Sequence, residues 1–365
     1  MPSFPRFVRE YFRPAPHRVR AHETTYERAG ERLPATVYSP SHGRGRRPGW
    51  VVLHGLTYTG RTHPALVRFV RAVAAAGNVV LVPDIPEWRA LRVAPTVTRN
   101  TIRAAVRALH ERDDVDPEHT GLFGFSFGAT QSIVAACDPE VESRLRGIAA
   151  WGGYCDVHRL FRFGMTGEHE LDGVDYCTPP DPYGCWIMAG NYLAHMPGFE
   201  HYAELAAALH RLALEAGKRQ VLATDPVHDD AKRRLRAQLP STQHELFDML
   251  APLSGAPGPD LDVVRPMSQL LADTALRIDP LFDPTPFLPR LRVPTLFAHG
   301  RDDILIPFTE TIRLTRAVDP SVVRGITITG LYAHSGGARL RSPIAALRES
   351  ARFAGLLRRV LGLVG

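Results

Sequence analysis

Residues 121–133 read GLFGFSFGATQSI and place one serine, Ser126, between two glycines. A run of β-type apolar residues precedes this serine, and a helical pattern follows it. The pattern G-x-S-x-G is short, and a chain of 365 residues with 30 glycines can contain it by chance. Its meaning therefore depends on the sequence around it.

The segments on both sides of this stretch alternate between strand and helix patterns. Apolar residues recur at three-and-four spacing in residues 62–77 and 96–112, as they do on amphipathic helices. Short apolar, β-branched runs bounded by Gly or Pro are typical of strands buried on both faces. Five such runs are residues 48–55, 77–84, 119–126, 145–153 and 292–300. This alternation predicts a parallel sheet covered by helices on both faces.

Further segments extend the predicted sheet. Residues 17–40 alternate around Gly30 and predict an antiparallel hairpin at one edge. Residues 322–330 predict a last strand, and residues 342–364 predict a closing helix with Pro343 in its first turn. We therefore expect an α/β fold with a mostly parallel sheet of about eight strands.

The alternation stops between residues 155 and 290. Four segments there look helical, namely residues 199–217, 226–239, 241–253 and 260–279. The region is too long for a loop and too helical for a linker. We predict a first part of the core in residues 1–154, a helical insertion in residues 155–290 and a second part of the core in residues 291–365.

The composition is that of an ordinary soluble enzyme, with 44% hydrophobic and 22% charged residues. The formal charge is +6, but the basic residues are spread along the chain without a dense run and without a basic and aromatic motif. We therefore interpret the charge as compositional bias and expect no nucleic-acid partner. No apolar stretch is long enough to span a membrane, and the N-terminal residues lack the apolar core of a signal peptide. A cytoplasmic protein is expected.

The four cysteines are too few for a disulfide framework in a chain of this length. Three of them lie close in sequence to two histidines, in the set Cys155, His158, His169, Cys177 and Cys185. Their spacings match no paired-ligand pattern of a zinc site. We predict free or buried thiols and no metal, and leave open a bridge between Cys177 and Cys185.

The strand, turn and helix around Ser126 predict a nucleophile elbow, because a sharp turn with small residues on both sides exposes the serine at the end of a strand. A serine hydroxyl is a weak nucleophile, so it needs a base, and the base needs a group that fixes its tautomer. In such a sheet the acid and then the histidine follow the serine in the chain, after later strands. The candidates are Asp302 and Asp303 after residues 292–300, and His334 after the last predicted strand.

With these motifs the chain resembles the serine hydrolases of the α/β-hydrolase superfamily, in particular capped esterases and dienelactone hydrolases. FGFSFGA resembles the elbow of that family, FAHGRDDILIP its acid loop and GLYAHSGG its histidine loop. The resemblance runs from about Arg32 to the C-terminus and is weakest across residues 155–290, where many members carry a helical cap.

The resemblance implies a catalytic triad of Ser126, Asp303 and His334. Asp303 stands four residues after the His of an H-G pair, and Pro307 closes the loop. Asp302 is the fallback, and Asp156 would be the acid in relatives that carry it after the preceding strand. The resemblance also implies an oxyanion hole.

The implied oxyanion donors are the backbone N–H groups of Leu56 and Phe127, with His54 shaping the H-G turn before Leu56 without titrating in catalysis. The expected reaction is the hydrolysis of a small-molecule carboxylic ester through an acyl-enzyme, without metal or organic cofactor. The alternatives are an amidase or peptidase, an acyltransferase and a non-catalytic binding module. A dehalogenase and an epoxide hydrolase are disfavoured, because both would carry Asp at the position of Ser126.

Several large apolar residues of the insertion could line an acyl pocket or form the core of the cap itself. These are Trp186, Tyr192, Phe199, Tyr202 and Phe247.

Overall fold

The central sheet is built from short apolar strands joined mostly by helices. The computed structural model describes residues 2–43, 45–331 and 343–365. Within them the strands are β1 (Val19–Arg28), β2 (Glu31–Pro40), β3 (Arg47–Leu53), β4 (Val79–Pro83), β5 (Val115–Phe125), β6 (Gly147–Trp151), β7 (Glu168–Leu171), β8 (Val174–Cys177), β9 (Thr295–Gly300) and β10 (Val323–Thr329). Eight of these strands form one sheet in the order β1-β2-β4-β3-β5-β6-β9-β10.

The sheet is mostly parallel, as predicted. β2 is antiparallel to β1 and to β4, and the other strands of this sheet are parallel to their neighbours, in the order β4-β3-β5-β6-β9-β10. The predicted hairpin at residues 17–40 is β1 and β2, at the sheet edge. The predicted α/β fold class is thus confirmed.

Helices cover the two faces of the sheet and form most of the segment between β6 and β9. They are α1 (Phe4–Phe12), α2 (Pro64–Ala75), α3 (Pro86–Arg89), α4 (Pro95–His110), α5 (Phe127–Ala136), α6 (Pro139–Glu142), α7 (Val157–Thr166), α8 (Pro182–Tyr192), α9 (Ala203–Arg219), α10 (Asp229–Arg236), α11 (His244–Leu250), α12 (Leu261–Ile278), α13 (Phe308–Ala317) and α14 (Pro343–Leu363). None of the helices in the described ranges combines the length and apolar character that crossing a bilayer requires.

The side chains of β3 alternate between two hydrophobic clusters, because successive residues of a strand point to opposite faces. Trp50 and Val52 pack in the cluster formed with α1, α2 and α14. Val51 and Leu53 pack in the cluster formed with α4, α5 and the helices between β6 and β9. All four side chains are completely buried, so β3 lies at the centre of the fold.

The segment between β6 and β9 carries helices α7 to α12 and one feature that the sequence interpretation did not include. β7 and β8 form a separate antiparallel hairpin, with Asp172 and Gly173 at positive φ (55° and 76°) in its turn. Asp-Gly is a strong signal for a two-residue hairpin turn. This region is therefore helical with one short hairpin.

The cysteines in the described residues are all free thiols. Cys177 is exposed on β8, whereas Cys185 is buried in α8, so the pair left open by the sequence is not bridged. Burial raises the pKa of the Cys185 thiol to about 12.

Candidate active site

Ser126 occupies the turn between the end of β5 and the start of α5. Its backbone has φ 55° and ψ −127°, a conformation that a residue with a Cβ rarely adopts. Such strain costs on the order of 1–3 kcal/mol and persists only where the surrounding structure imposes it. Here the N–H of Ser126 donates to Trp151 O (2.8 Å), and its carbonyl accepts from Ala129 N–H (2.8 Å).

Two glycines allow the strand and the helix to approach at this turn. A Cβ on Gly124 would lie 2.2 Å from the carbonyl oxygen of Gly128. A Cβ on Gly128 would lie 2.6 Å from the carbonyl oxygen of His54. Because neither backbone oxygen has room for an added carbon, both positions require glycine for packing. This is the geometry predicted for a nucleophile elbow.

The loop after β3 lies beside the Ser126 side chain. A Cβ on Gly55 would be 3.0 Å from Ser126 Cβ and 3.4 Å from Ser126 Oγ. Leu56 follows in this loop and packs against the core. Phe127 is the first residue of α5, so its N–H has no acceptor within the helix. The structure therefore brings Ser126, Phe127 and the Gly55–Leu56 loop together.

His54 is a structural part of this loop. Its side chain is buried, its Nδ1–H donates to Gly55 O (2.7 Å), and its ring meets the Trp88 ring edge-on at 5.4 Å. Burial lowers the pKa of His54 to about 4. The imidazole is therefore neutral at pH 7, and its hydrogen bond to Gly55 O holds the turn.

Asp303 lies in the loop after β9, at the same edge of the sheet as the end of β5. Its side chain is buried, and its Oδ1 accepts from the N–H groups of Leu305 (2.9 Å) and Ile306 (3.0 Å). Its Oδ2 lies 3.4 Å from His299 Nε2. Asp302 is exposed. The buried and fixed carboxylate of this loop thus belongs to Asp303.

His299 holds the acid loop from inside the sheet. Its Nε2–H donates to Ile306 O (2.9 Å), and its Nδ1 lies 2.6 Å from Thr311 Oγ1. The ring is completely buried. His299 therefore fixes the shape of the loop that carries Asp303.

Asp156, the alternative acid, has another role. Its Oδ1 accepts from Arg159 N–H (2.8 Å) and caps the N-terminus of α7. Its own N–H donates to Glu310 Oε2 (2.9 Å). This arrangement favours Asp303 as the acid. His334, the predicted base, lies outside the described residues, in the segment that follows β10.

Solved structures provide the comparison for this arrangement, because no protein-family profile and no curated protein matches the chain. An acylaminoacyl peptidase of Pyrococcus horikoshii superposes on 94% of this chain with a TM-score of 0.51 and 12% identity. A dipeptidyl peptidase 4 of Porphyromonas gingivalis superposes on 96% with a TM-score of 0.50 and 12% identity. The chain has the α/β-hydrolase fold.

The two peptidases are longer than this α/β-hydrolase-fold chain, which spans 42% and 37% of their lengths. A brefeldin A esterase, described as a bacterial homologue of human hormone-sensitive lipase, is also similar, with a TM-score of 0.48 and 17% identity. The alignment with this esterase covers 95% of this chain and 76% of the esterase.

In this α/β-hydrolase fold the insertion contacts both loops of the candidate site, which the sequence interpretation missed. A Cβ on Gly217 of α9 would lie 3.2 Å from Tyr58 Cβ and 3.1 Å from Tyr183 Oη. The N–H of Asp181 donates to Ile304 O (2.9 Å) in the acid loop. Glycine is unfavourable inside a helix, so Gly217 in α9 was the available signal of a close contact.

The large apolar residues of the insertion divide into two groups. Trp186, Tyr192 and Phe247 are buried in its core. Phe199 and Tyr202 instead line an open cavity of about 410 Å³, whose other lining residues include Met196, Met249, Met267 and Leu270 and do not include Ser126. Within the described ranges, no group of three or more His, Cys, Asp or Glu side chains is placed to hold a metal ion.

Proposed function

We propose that the chain hydrolyses carboxylic esters through an acyl-enzyme formed on Ser126. The observation that carries this proposal is the position of Ser126 on a strained turn, with its Oγ beside the Gly55–Leu56 loop. A buried serine with only a packing role does not need this backbone strain or the two close glycine contacts.

In the proposed first step, Ser126 Oγ attacks the ester carbonyl while His334 accepts the hydroxyl proton. The alcohol leaves with a proton from His334, and the acyl group stays on Oγ. Water, deprotonated by His334, then attacks the acyl carbon, the bond between the acyl carbon and Oγ breaks, and His334 returns the proton to Oγ as the acid leaves. Each step transfers a proton to or from one histidine, so the cycle regenerates the starting enzyme.

Asp303 has the properties that the orienting acid requires. It is buried, and two backbone N–H groups fix one of its oxygens. In the proposal its carboxylate selects the tautomer of His334 and stabilises the imidazolium that forms.

The backbone N–H groups of Leu56 and Phe127 are the proposed oxyanion donors. The positive end of the α5 dipole adds to the field at this point. Loss of one such donor typically costs about 3–4 kcal/mol of transition-state stabilisation. The proposed substrate is a small-molecule ester, and the proposed chemistry requires no cofactor.

The experiment is stopped-flow release of p-nitrophenol from acetyl, butyryl and octanoyl esters. The wild type is expected to show a burst equal to the enzyme concentration, and Ser126→Ala to show none. Ser143→Ala, which removes an exposed hydroxyl on another turn, is the matched control and should keep the burst. A burst that persists in Ser126→Ala, or faster turnover of p-nitroanilides than of esters, would overturn the ester proposal.

A further inference from the structure

One layer of the fold carries a concentrated positive charge. Helices α1, α2 and α14 pack together on one face of the sheet, in a single hydrophobic cluster. They contain eight arginines, Arg6, Arg9, Arg68, Arg71, Arg348, Arg352, Arg358 and Arg359, and two glutamates, Glu10 and Glu349. The excess of arginines over glutamates in these three helices equals the formal net charge of +6 of the whole chain. Basic residues that are dispersed in the sequence are thus gathered by folding.

The two glutamates of this layer are already paired. Glu10 is completely buried and bonds Arg18 (3.2 Å) and Arg71 (3.0 Å). Glu349 pairs with Arg352 (3.0 Å) and accepts from Gly330 N–H (3.0 Å). Neither carboxylate is available to neutralise the outer surface.

The outer surface of α1 carries arginines that have no acidic partner. Arg6, Arg9 and Arg13 are exposed on or directly after α1, and Arg358 is exposed on α14. Among the described residues no carboxylate lies within ion-pair distance of any of these four guanidinium groups. Unpaired cations on one surface favour a partner of opposite charge.

An apolar groove lies between these cations. It has a volume of about 500 Å³ and is lined by Phe4, Pro5, Val8, Arg9, Phe12, Arg13 and Arg358. Phe12 is 68% exposed, although it is a large apolar side chain. The Arg358 guanidinium lies over the Phe4 ring at 4.4 Å. The groove therefore combines an apolar floor with a cationic rim.

We propose that this layer docks on the surface of a bilayer that contains anionic phospholipids. α1 has the two sides that such docking requires, because Phe7 and Glu10 face the protein while Arg6, Arg9 and Phe12 face outward. Helices that lie in the membrane interface combine basic side chains with an aromatic or aliphatic residue in this way. Phe12 enters the headgroup region, and Arg9, Arg13 and Arg358 contact lipid phosphates.

A lipid surface accounts for these features better than a nucleic acid does. Phosphates of either partner would satisfy the arginines, and bases can stack on an exposed ring such as Phe12. A bilayer interface also buries the aliphatic part of the floor at Pro5 and Val8, which base stacking does not cover. The proposal is independent of the chemistry at Ser126.

The test is sedimentation of the full chain with vesicles of phosphatidylcholine alone and of phosphatidylcholine with 30% phosphatidylglycerol, at about 0.05 M and 0.5 M NaCl. We expect binding to the anionic vesicles at low salt, and its loss at high salt. The triple variant Arg9→Gln, Arg13→Gln, Arg358→Gln should bind at least tenfold more weakly, because each basic residue near an anionic surface contributes roughly fivefold. Phe12→Ser should weaken binding to the anionic vesicles severalfold at about 0.05 M NaCl, because it removes the apolar side chain that enters the headgroup region.

A matched control removes the same charge elsewhere. The triple variant Arg32→Gln, Arg92→Gln, Arg211→Gln changes three exposed arginines outside this layer and should bind within twofold of the wild type. Equal loss in the control, equal binding to neutral vesicles, or no sedimentation of the wild type would overturn the proposal. Tighter binding to duplex DNA or single-stranded RNA than to anionic vesicles at the same salt would assign the surface to nucleic acid instead. Circular dichroism and ester turnover in solution should be the same in all variants.

Discussion

Gly124 and Gly128 meet so closely that a Cβ on Gly124 would lie 2.2 Å from the carbonyl oxygen of Gly128. β5 and α5 therefore touch through their backbones on the two sides of Ser126. The unusual backbone conformation of Ser126 depends on this contact, because any larger separation would open the turn.

Gly124→Ala should disturb both stability and the candidate nucleophile. The added methyl group must displace the α5 backbone, and overpacking of this kind typically costs about 1–3 kcal/mol. Urea unfolding should show this loss, and labelling of the variant by a fluorophosphonate should slow at least tenfold. Gly258→Ala is the control, since nothing lies within 4 Å of a Cβ at that position. Equal labelling of Gly124→Ala and the wild type would mean that the glycine contact does not position Ser126.

Asp303→Asn should lower kcat for an ester by roughly a thousandfold or more, because an amide cannot stabilise the imidazolium of the base. The fold should persist, since an amide oxygen can accept from the N–H groups of Leu305 and Ile306 as the carboxylate does. Asp302→Asn, on the exposed neighbour, should keep kcat within about twofold. Steady-state kinetics and thermal unfolding of both variants provide the comparison. The opposite ranking of the two variants would reject the assignment of the acid.

Gly217→Ala should lower kcat/KM for an ester severalfold. A methyl group there presses on Tyr58 and on Tyr183 Oη, and small displacements near a reacting group reduce rates strongly. Alanine is otherwise favourable in a helix by about 1 kcal/mol, so the variant should not be grossly unfolded. Gly355→Ala in α14 has open space around the added carbon and should leave the rate unchanged. If the two variants have the same activity, contact between α9 and the Tyr58 loop does not matter for the site.

The stability of the chain should fall as the pH is lowered from about 6.5 towards 4. In the folded state burial lowers the pKa of His54 to about 4, whereas an unfolded histidine titrates near 6.5. Between these values the unfolded chain takes up a proton that the folded chain does not, so the free energy of unfolding decreases with falling pH. From pH 7 to 5 this contribution is about 2 kcal/mol.

Urea unfolding at pH 7 and 5 measures this effect. His54→Asn should show a smaller difference between the two pH values than the wild type, and His22→Asn, at an exposed position, should not. An unchanged difference in His54→Asn would show that another group carries the pH dependence.

The parts of the fold that the sequence predicted are those with strong local patterns. Continuous apolar runs predict strands that are buried on both faces. The run at residues 77–84 contains β4, and the run at residues 119–126 contains the second half of β5, directly before Ser126. α8 was not predicted as a separate helix, since it is buried in the insertion and its apolar residues show no one-sided periodicity.

Other features depend on distances between remote parts of the chain. The contact of Gly217 with Tyr58 and the bond from Asp181 to Ile304 have no pattern within a single segment. The same holds for the basic layer of α1, α2 and α14, whose arginines come from both ends of the sequence. The elbow at Ser126 could be predicted because its strand, turn and helix are contiguous.

An acyl-enzyme on Ser126 is tested most directly by peptide mass spectrometry after acid quench of the enzyme during turnover of p-nitrophenyl butyrate. We expect an added butyryl group on the tryptic peptide of residues 113–144, localised to Ser126 by fragmentation and absent from Ser126→Ala. Turnover of the ester with the acyl group on another residue, or with no covalent adduct under conditions that show a burst, would contradict it.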